Sequence, residues 1–176
     1  MRRALRLTGR RPVPRRTSSP PAVPAVDAGL RLLAARSHSR HEMRRKLGRR
    51  GYTEEDVEGA VARLVELGYL DDRVFAEGHV RRRSRSLGRL ALSAELAARG
   101  VDRAAADEAM AGLSDDAQLA AATSLVERLG GRKSFAGYRE LLDSVGPKLV
   151  RRGFSPGMVR TACRALFEGT VDTPEA

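Results

Sequence analysis

The chain has 176 residues, of which 41% are hydrophobic and 31% charged, so it holds one ordinary domain or a short array of small repeats. Aromatic residues make up only 4% and tryptophan is absent, which leaves a core of leucine, valine and alanine. No stretch approaches the ~18 consecutive apolar residues of a membrane span. The single cysteine, Cys163, excludes an internal disulfide and fits a reducing cytoplasm, and three scattered histidines (His38, His41, His79) do not make a metal cluster.

The formal net charge is +11, but it is unevenly spread. Residues 1–26 hold seven arginines and no acid, so +7 sits there and the remaining 150 residues are only mildly basic. Five of the eight prolines fall in residues 12–24, and no apolar periodicity accompanies them. Residues 1–26 therefore read as a disordered Arg/Pro-rich tail, adding weak, salt-sensitive attraction to polyanions. An Arg-rich organelle leader is the alternative, whereas a secretory signal is not, because Met1-Arg2-Arg3 is followed by no apolar run. Of the 33 basic residues 30 are arginine, a bias that genome composition explains as well as phosphate recognition does.

Beyond the tail a repeat emerges when Gly51, Gly100 and Gly153 are aligned. Leu47, Leu96 and Leu149 stand four residues before them; Met43, Leu92 and Val145 stand eight before. Tyr52, Val101 and Phe154 follow directly, then Thr53, Asp102 and Ser155. Further on, Val57-Ala60-Val61-Leu64 match Ala106-Ala109-Met110-Leu113 and Val159-Ala162-Cys163-Leu166. Spacings of 49 and 53 residues indicate tandem units of about fifty residues.

Each unit translates into three short helices. The first helices start at Asp27, Asp71 and Asp115, over roughly 28–36, 72–86 and 115–129. In the middle helices the apolar pair is an i, i+4 stripe, and the glycine is a left-handed residue just past the end. Ser39-Arg40-His41-Glu42 forms a capping box for the middle helix of unit one. Thr53, Asp102 and Ser155 cap the third helices, with Pro156 in the first turn of the last one. In unit three, Gly146-Pro147 should kink or break the middle helix. The expected fold is all-α: three tandem three-helix repeats (27–70, 71–113, 114–168) in an elongated curved solenoid, with a disordered C-terminus at 169–176.

Helical projection places Arg44, Arg45 and Arg49 outward on 40–50 and Arg81, Arg82 and Arg85 outward on 72–86. Glu55 and Glu66 point outward on 54–67. Solvated charge explains most such faces, yet Arg81-Arg82-Arg83-Ser84-Arg85 concentrates like charge in a way that suits an acidic or polyanionic partner. A DNA-reading helix-turn-helix is disfavoured, because the reading helix would start with Glu54-Glu55-Asp56 and phosphate repels it. There is no asparagine and one glutamine, Gln118, so the usual adenine readers are missing.

No catalytic constellation is found: no G-x-G and no P-loop. Asp71-Asp72 and Asp115-Asp116 read as helix starts rather than paired catalytic carboxylates. His79 reads as a packing residue and Cys163 as an inert core thiol. The chain reads as a non-enzyme and a monomer, with no cofactor, metal or membrane partner.

Arg36-Ser37-His38-Ser39-Arg40-His41-Glu42-Met43 resembles the opening segment of RecX proteins. Gly68-Tyr69-Leu70-Asp71-Asp72-Arg73-Val74-Phe75-Ala76 is similar to their most specific signature. Glu95–Val101 and Leu149–Ser155 resemble two later elements, and the likeness covers about residues 28–167. The resemblance implies a regulator of the recombinase RecA in DNA repair and the SOS response. Members of that family lie in the groove of the RecA–single-stranded DNA filament and inhibit its ATPase, strand exchange and co-protease activities, without a cofactor. Its segments contain Gly100, Gly153, Asp71, Asp72 and Phe75 as motif residues, to which the repeat register adds Gly51. The candidate contacts to filament or DNA are Arg44, Arg45, Arg49, Arg81, Arg82, Arg85, Arg151 and Arg152. The alternative is a non-specific DNA- or RNA-binding protein acting through its basic tail and basic helix faces, with a steep salt dependence.

Overall fold

The computed structural model describes residues 22–131 and 134–171. Among them are nine helices and no strand: α1 Ala25–Ala35, α2 Arg40–Arg49, α3 Glu54–Glu66, α4 Asp72–Arg83, α5 Arg89–Ala98, α6 Arg103–Ala111, α7 Asp115–Gly130, α8 Tyr138–Val150 and α9 Pro156–Val171. The reading of a disordered tail falls, for residues 1–21, outside the described residues.

The repeat register is a burial register. Leu47, Leu96 and Leu149 are fully buried, as are Met43, Leu92 and Val145. The pair of each unit belongs to its own apolar cluster, spanning Ala25–Leu70, Phe75–Leu113 and Ala122–Cys163. A middle and a third helix cannot bury their stripes against water, so each pair closes on the first helix of its own unit. The molecule is thus a string of three-helix units, each with a separate core. The turn glycines have φ of 91° (Gly51), 72° (Gly100) and 84° (Gly153), the left-handed geometry that a Cβ penalises. After them Thr53 accepts from the Asp56 amide, Asp102 from the Ala105 amide at 2.8 Å and Ser155 from the Met158 amide at 3.3 Å.

Several boundaries differ from the sequence reading. Helix α1 starts at Ala25, inside the stretch assigned to the tail, and Asp27 lies in its first turn instead of capping it. Burial of Ala25 and Ala28, with the Tyr52 hydroxyl donating to the Val23 carbonyl at 2.7 Å, pulls the extra residues into unit one. Ser114, not Asp115, caps α7. Helix α4 stops at Arg83, so Arg85 sits in the following turn. There the Ser84 and Leu87 carbonyls accept from the Gln118 amide group (3.3 and 3.4 Å), which a continuing helix would not present. Helix α8 runs unbroken through Pro147, so of the expected kink or break the break does not occur. Leu141, Val145 and Leu149 are buried along it, and this packing outweighs the roughly 3 kcal/mol interior cost of a proline. Helix α9 continues to Val171, three residues past the expected end at 168, since no proline intervenes before Pro174.

Neighbouring units join by the same step twice. Ser39 and Gly88, each twelve residues before the glycine of its unit, open a middle helix. The Ser39 hydroxyl donates to the Arg99 carbonyl at 2.5 Å, and the Gly88 amide donates to the Arg152 carbonyl at 2.8 Å. Arg99 and Arg152 immediately precede the glycines of the next unit. The next residue on each helix, Arg40 or Arg89, gives its amide to a side chain of the next unit's first helix: Asp72 at 2.9 Å, Gln118 at 3.1 Å. Helix N-terminal amides have no partner of their own, and here the adjacent unit supplies one.

The second junction is a backbone contact. A methyl group at Gly153 would lie 2.6 Å from the Ala91 Cβ and closer still to its amide. Replacing Gly153 by Ala adds left-handed strain to that overlap and should lower unfolding free energy by about 2 kcal/mol or more in urea titration. Gly59 lies within α3 with open space around it, so Gly59→Ala should stabilise by about 0.5–1 kcal/mol. A Gly153→Ala protein as stable as the parent would contradict the junction geometry.

Candidate functional site

The eight arginines singled out by the sequence differ in exposure and in pairing. Arg44 on α2 donates from Nε and Nη2 to the two carboxylate oxygens of Glu58 on α3, at 2.7 and 2.9 Å, which takes it out of the free charge. Arg45 and Arg49 are exposed on α2 without an ion pair among the described residues, and so are Arg81 and Arg82 at the end of α4. Arg85 is exposed in the turn beyond, and Arg151 at the end of α8. Arg152 is half-buried, and its carbonyl serves the second junction. The motif residues are structural: Asp71 caps α4 through the Arg73 and Val74 amides, Asp72 meets Arg40, and Phe75 is buried with its ring stacked 6.3 Å from His79.

What the structure assembles instead lies at the first junction. A groove of about 740 Å³ is lined by Arg36 from the loop after α1, Arg82 and Arg83 from α4, and Arg99 at the end of α5. Arg82 alone of the eight expected residues lines it. Two carboxylates hold the other three arginines. Glu42, only 4% exposed, accepts from Arg36 and from Arg99, both at 2.9 Å, and so ties unit one to unit two. Its carboxylate does not close the capping box with Ser39; the only capping bond there is from the Glu42 amide to the Ser39 hydroxyl at 3.0 Å. Glu95 accepts from Arg83 at 3.0 Å and pairs with His79 Nε2 at 2.7 Å.

These pairings shift the titrations in one direction. Burial pushes the Glu42 carboxyl up, but the Arg36 bond and the Arg36 and Arg99 charges outweigh it, holding it below the usual carboxylate range. Glu95 is held low in the same way: Arg83 and His79 overcome the effect of burial. Burial lowers His79, against the pull of its bond to Glu95. His38 is lowered by burial and by the Arg36 and Lys46 charges, despite Glu42 beside it. Its Nδ1 is 3.4 Å from the carboxylate, outside hydrogen-bonding geometry, and both ring nitrogens are buried without a partner. Burial raises the Cys163 thiol, which keeps it protonated in the core.

Sequence reasoning missed Arg36, Glu42, Glu95 and Arg99 as a set. Glu95 and Arg99 are spaced i, i+4 on one helix, yet each finds its partner on another element. Among the described residues no group of three or more His, Cys, Asp or Glu side chains could hold a metal ion, and no helix is long and apolar enough to cross a membrane.

Comparison with known proteins places this junction in context. Two family models match, the first and the second three-helix domain of RecX, over residues 25–64 and 71–110. Regulatory protein RecX of Stenotrophomonas maltophilia (strain K279a) is 38% identical over 160 residues, covering 89% of this chain and 92% of the relative. The chain belongs to the RecX family. Regulatory protein RecX of Halorhodospira halophila is 41% identical over 146 residues, covering 81% of this chain and 88% of the relative. The crystal structure of RecX from Lactobacillus salivarius superposes with a TM-score of 0.72 at 25% identity, covering 81% of this chain and 94% of the other. The groove at the first junction lies between the two matched RecX domains and is lined by residues of both.

The shifts make stability fall with acid. His38 and His79, lowered in the folded state, bind fewer protons than in the unfolded chain, so their contribution is complete above about pH 6.5 and declines below it. Glu42 and Glu95, also lowered, add a further loss at more acid pH, as their folded-state protonation is approached. Urea unfolding should therefore be flat from pH 7 to 8 and weaken progressively toward pH 5. A His38→Asn/His79→Asn protein should lose most of that slope. A parent whose stability is constant from pH 8 to pH 5 would contradict the two buried neutral imidazoles.

Proposed function

We propose that this RecX-family chain binds the filament of RecA on single-stranded DNA and restrains it, lowering ATPase, strand exchange and co-protease activity in the cytoplasm of a cell repairing its DNA. The observation that carries the reading is the identity to regulatory protein RecX, 38% over 160 residues and through all three units. The physical features fit such a role. A string of units presents exposed arginines without an ion pair among the described residues at successive points, Arg45 and Arg49 in unit one, Arg81, Arg82 and Arg85 in unit two, Arg151 in unit three. A filament repeats the same protomer surface, and several weak contacts made together give avidity. A monomer lying along neighbouring protomers resists their relative motion during ATP turnover and occupies space that a second DNA strand needs. No cofactor enters this account.

The test is the single-stranded-DNA-dependent ATPase of RecA, titrated with the full chain and with a chain lacking residues 1–21. Inhibition by both, at well below one molecule per RecA protomer, is expected. Joint charge reversal of Arg81, Arg82 and Arg85 should raise the half-inhibiting concentration at least tenfold, an effect of about 1.4 kcal/mol. Inhibition only at DNA-coating concentrations, and only with residues 1–21 present, would favour non-specific nucleic-acid binding, with its steep salt slope.

A further inference from the structure

The groove at the first junction is more ordered than its exposed arginines require. Its four guanidinium groups come from three elements of two units, and three of them are held by carboxylates beneath. Glu42 is buried and takes one nitrogen each from Arg36 and Arg99; Glu95 takes one from Arg83. A guanidinium has five N–H donors in a planar fork, so each of these arginines keeps donors for a second acceptor, while its rotamer is already fixed. Arg82 carries no ion pair among the described residues and lines the same groove. Counting Glu42 beneath it, four positive and two negative groups leave the groove with a net charge of +2.

We infer that this groove is a docking site for an acidic protein segment, whose carboxylates bind the free donors of Arg82, Arg83 and Arg99. The inference rests on the filament-binding reading only for the source of the segment, since the chemistry stands on the groove itself. Charge complementarity selects the occupant. The forks already hold two carboxylates on their inner side, so their spacing is that of a carboxylate array, and an incoming segment extends the alternation of charge. Single-stranded nucleic acid fits less well: such sites stack bases on exposed aromatic rings, and the one phenylalanine here, Phe75, is only 4% exposed and occupied by His79. Because Arg36 and Arg99 belong to different units, the site exists only while units one and two are docked, and Glu42 is the positioning residue for both.

The test follows the arginine Nε–Hε signals of the full chain by NMR during titration with an octaglutamate peptide, and separately with the oligonucleotide dT8. Saturable shifts at Arg82, Arg83 and Arg99 with the peptide are expected. Arg82→Glu should weaken the binding read at Arg83 at least tenfold, whereas Arg139→Glu, an exposed change on α8 outside the groove, should leave it within twofold. Peptide shifts confined to arginines 2–16, equal losses with Arg82→Glu and Arg139→Glu, or tighter binding of dT8 than of the peptide at these arginines would each overturn the proposal. RecA is absent from this assay, so the groove and the filament reading fail separately. Failure here with ATPase inhibition intact removes the groove alone.

Discussion

The fold depends on what happens to the first amides of a middle helix. Those donors have no partner within their own helix, and in an isolated three-helix unit they would face water. Here the next unit answers them: the Arg99 and Arg152 carbonyls face the cap residues Ser39 and Gly88, and Asp72 and Gln118 take the amide one residue later. A polar seam of this kind fixes the direction in which units are added without merging their cores. It explains why the apolar clusters stay separate while the chain remains one string. The turn glycine does two jobs at each seam, supplying the left-handed turn and letting the neighbouring helix approach where a Cβ would collide.

The two seams are chemically different. Between units two and three the contact is backbone on backbone, with the Gln118 side chain bridging Arg89, Ser84 and Leu87 and an exposed Arg89–Asp115 pair at 3.5 Å beside it. Between units one and two the charge is buried: Glu42 draws Arg36 and Arg99 together, while within unit two Glu95 holds Arg83 and His79 beside the same groove. A buried carboxylate held by two arginines is costly to desolvate and gives little net stability compared with an apolar replacement. What it yields is position. The guanidinium groups are set in fixed rotamers around one groove, at the meeting of the two domains that RecX family models match.

Most of the architecture was legible in the sequence because it obeys short-range rules. Leu47, Leu96 and Leu149 recur four residues before glycines, and every one is fully buried; Thr53, Asp102 and Ser155 stand where caps belong, and each caps. The misreadings came from tertiary contacts that no local rule contains. Pro147 lies within a continuous helix because Val145 and Leu149 pack beside it. Arg85 leaves its helix because Gln118 claims two carbonyls of the turn. The groove was invisible for the same reason. Helical projection sorts charges by face, so it found Arg81, Arg82 and Arg85, yet it cannot pair Glu42 with an arginine 57 residues away. Arg44, by contrast, projects outward but folds onto Glu58 of the adjacent helix.

Amide hydrogen exchange of the full chain, alone and bound to RecA on single-stranded DNA, tests the central claim most directly: that the first seam carries the contact. The account predicts slowed exchange at residues 36–42 and 79–83, on either side of the groove, with α9 unchanged. Slowing confined to residues 1–21, or to α9, with the first seam unaltered would contradict it.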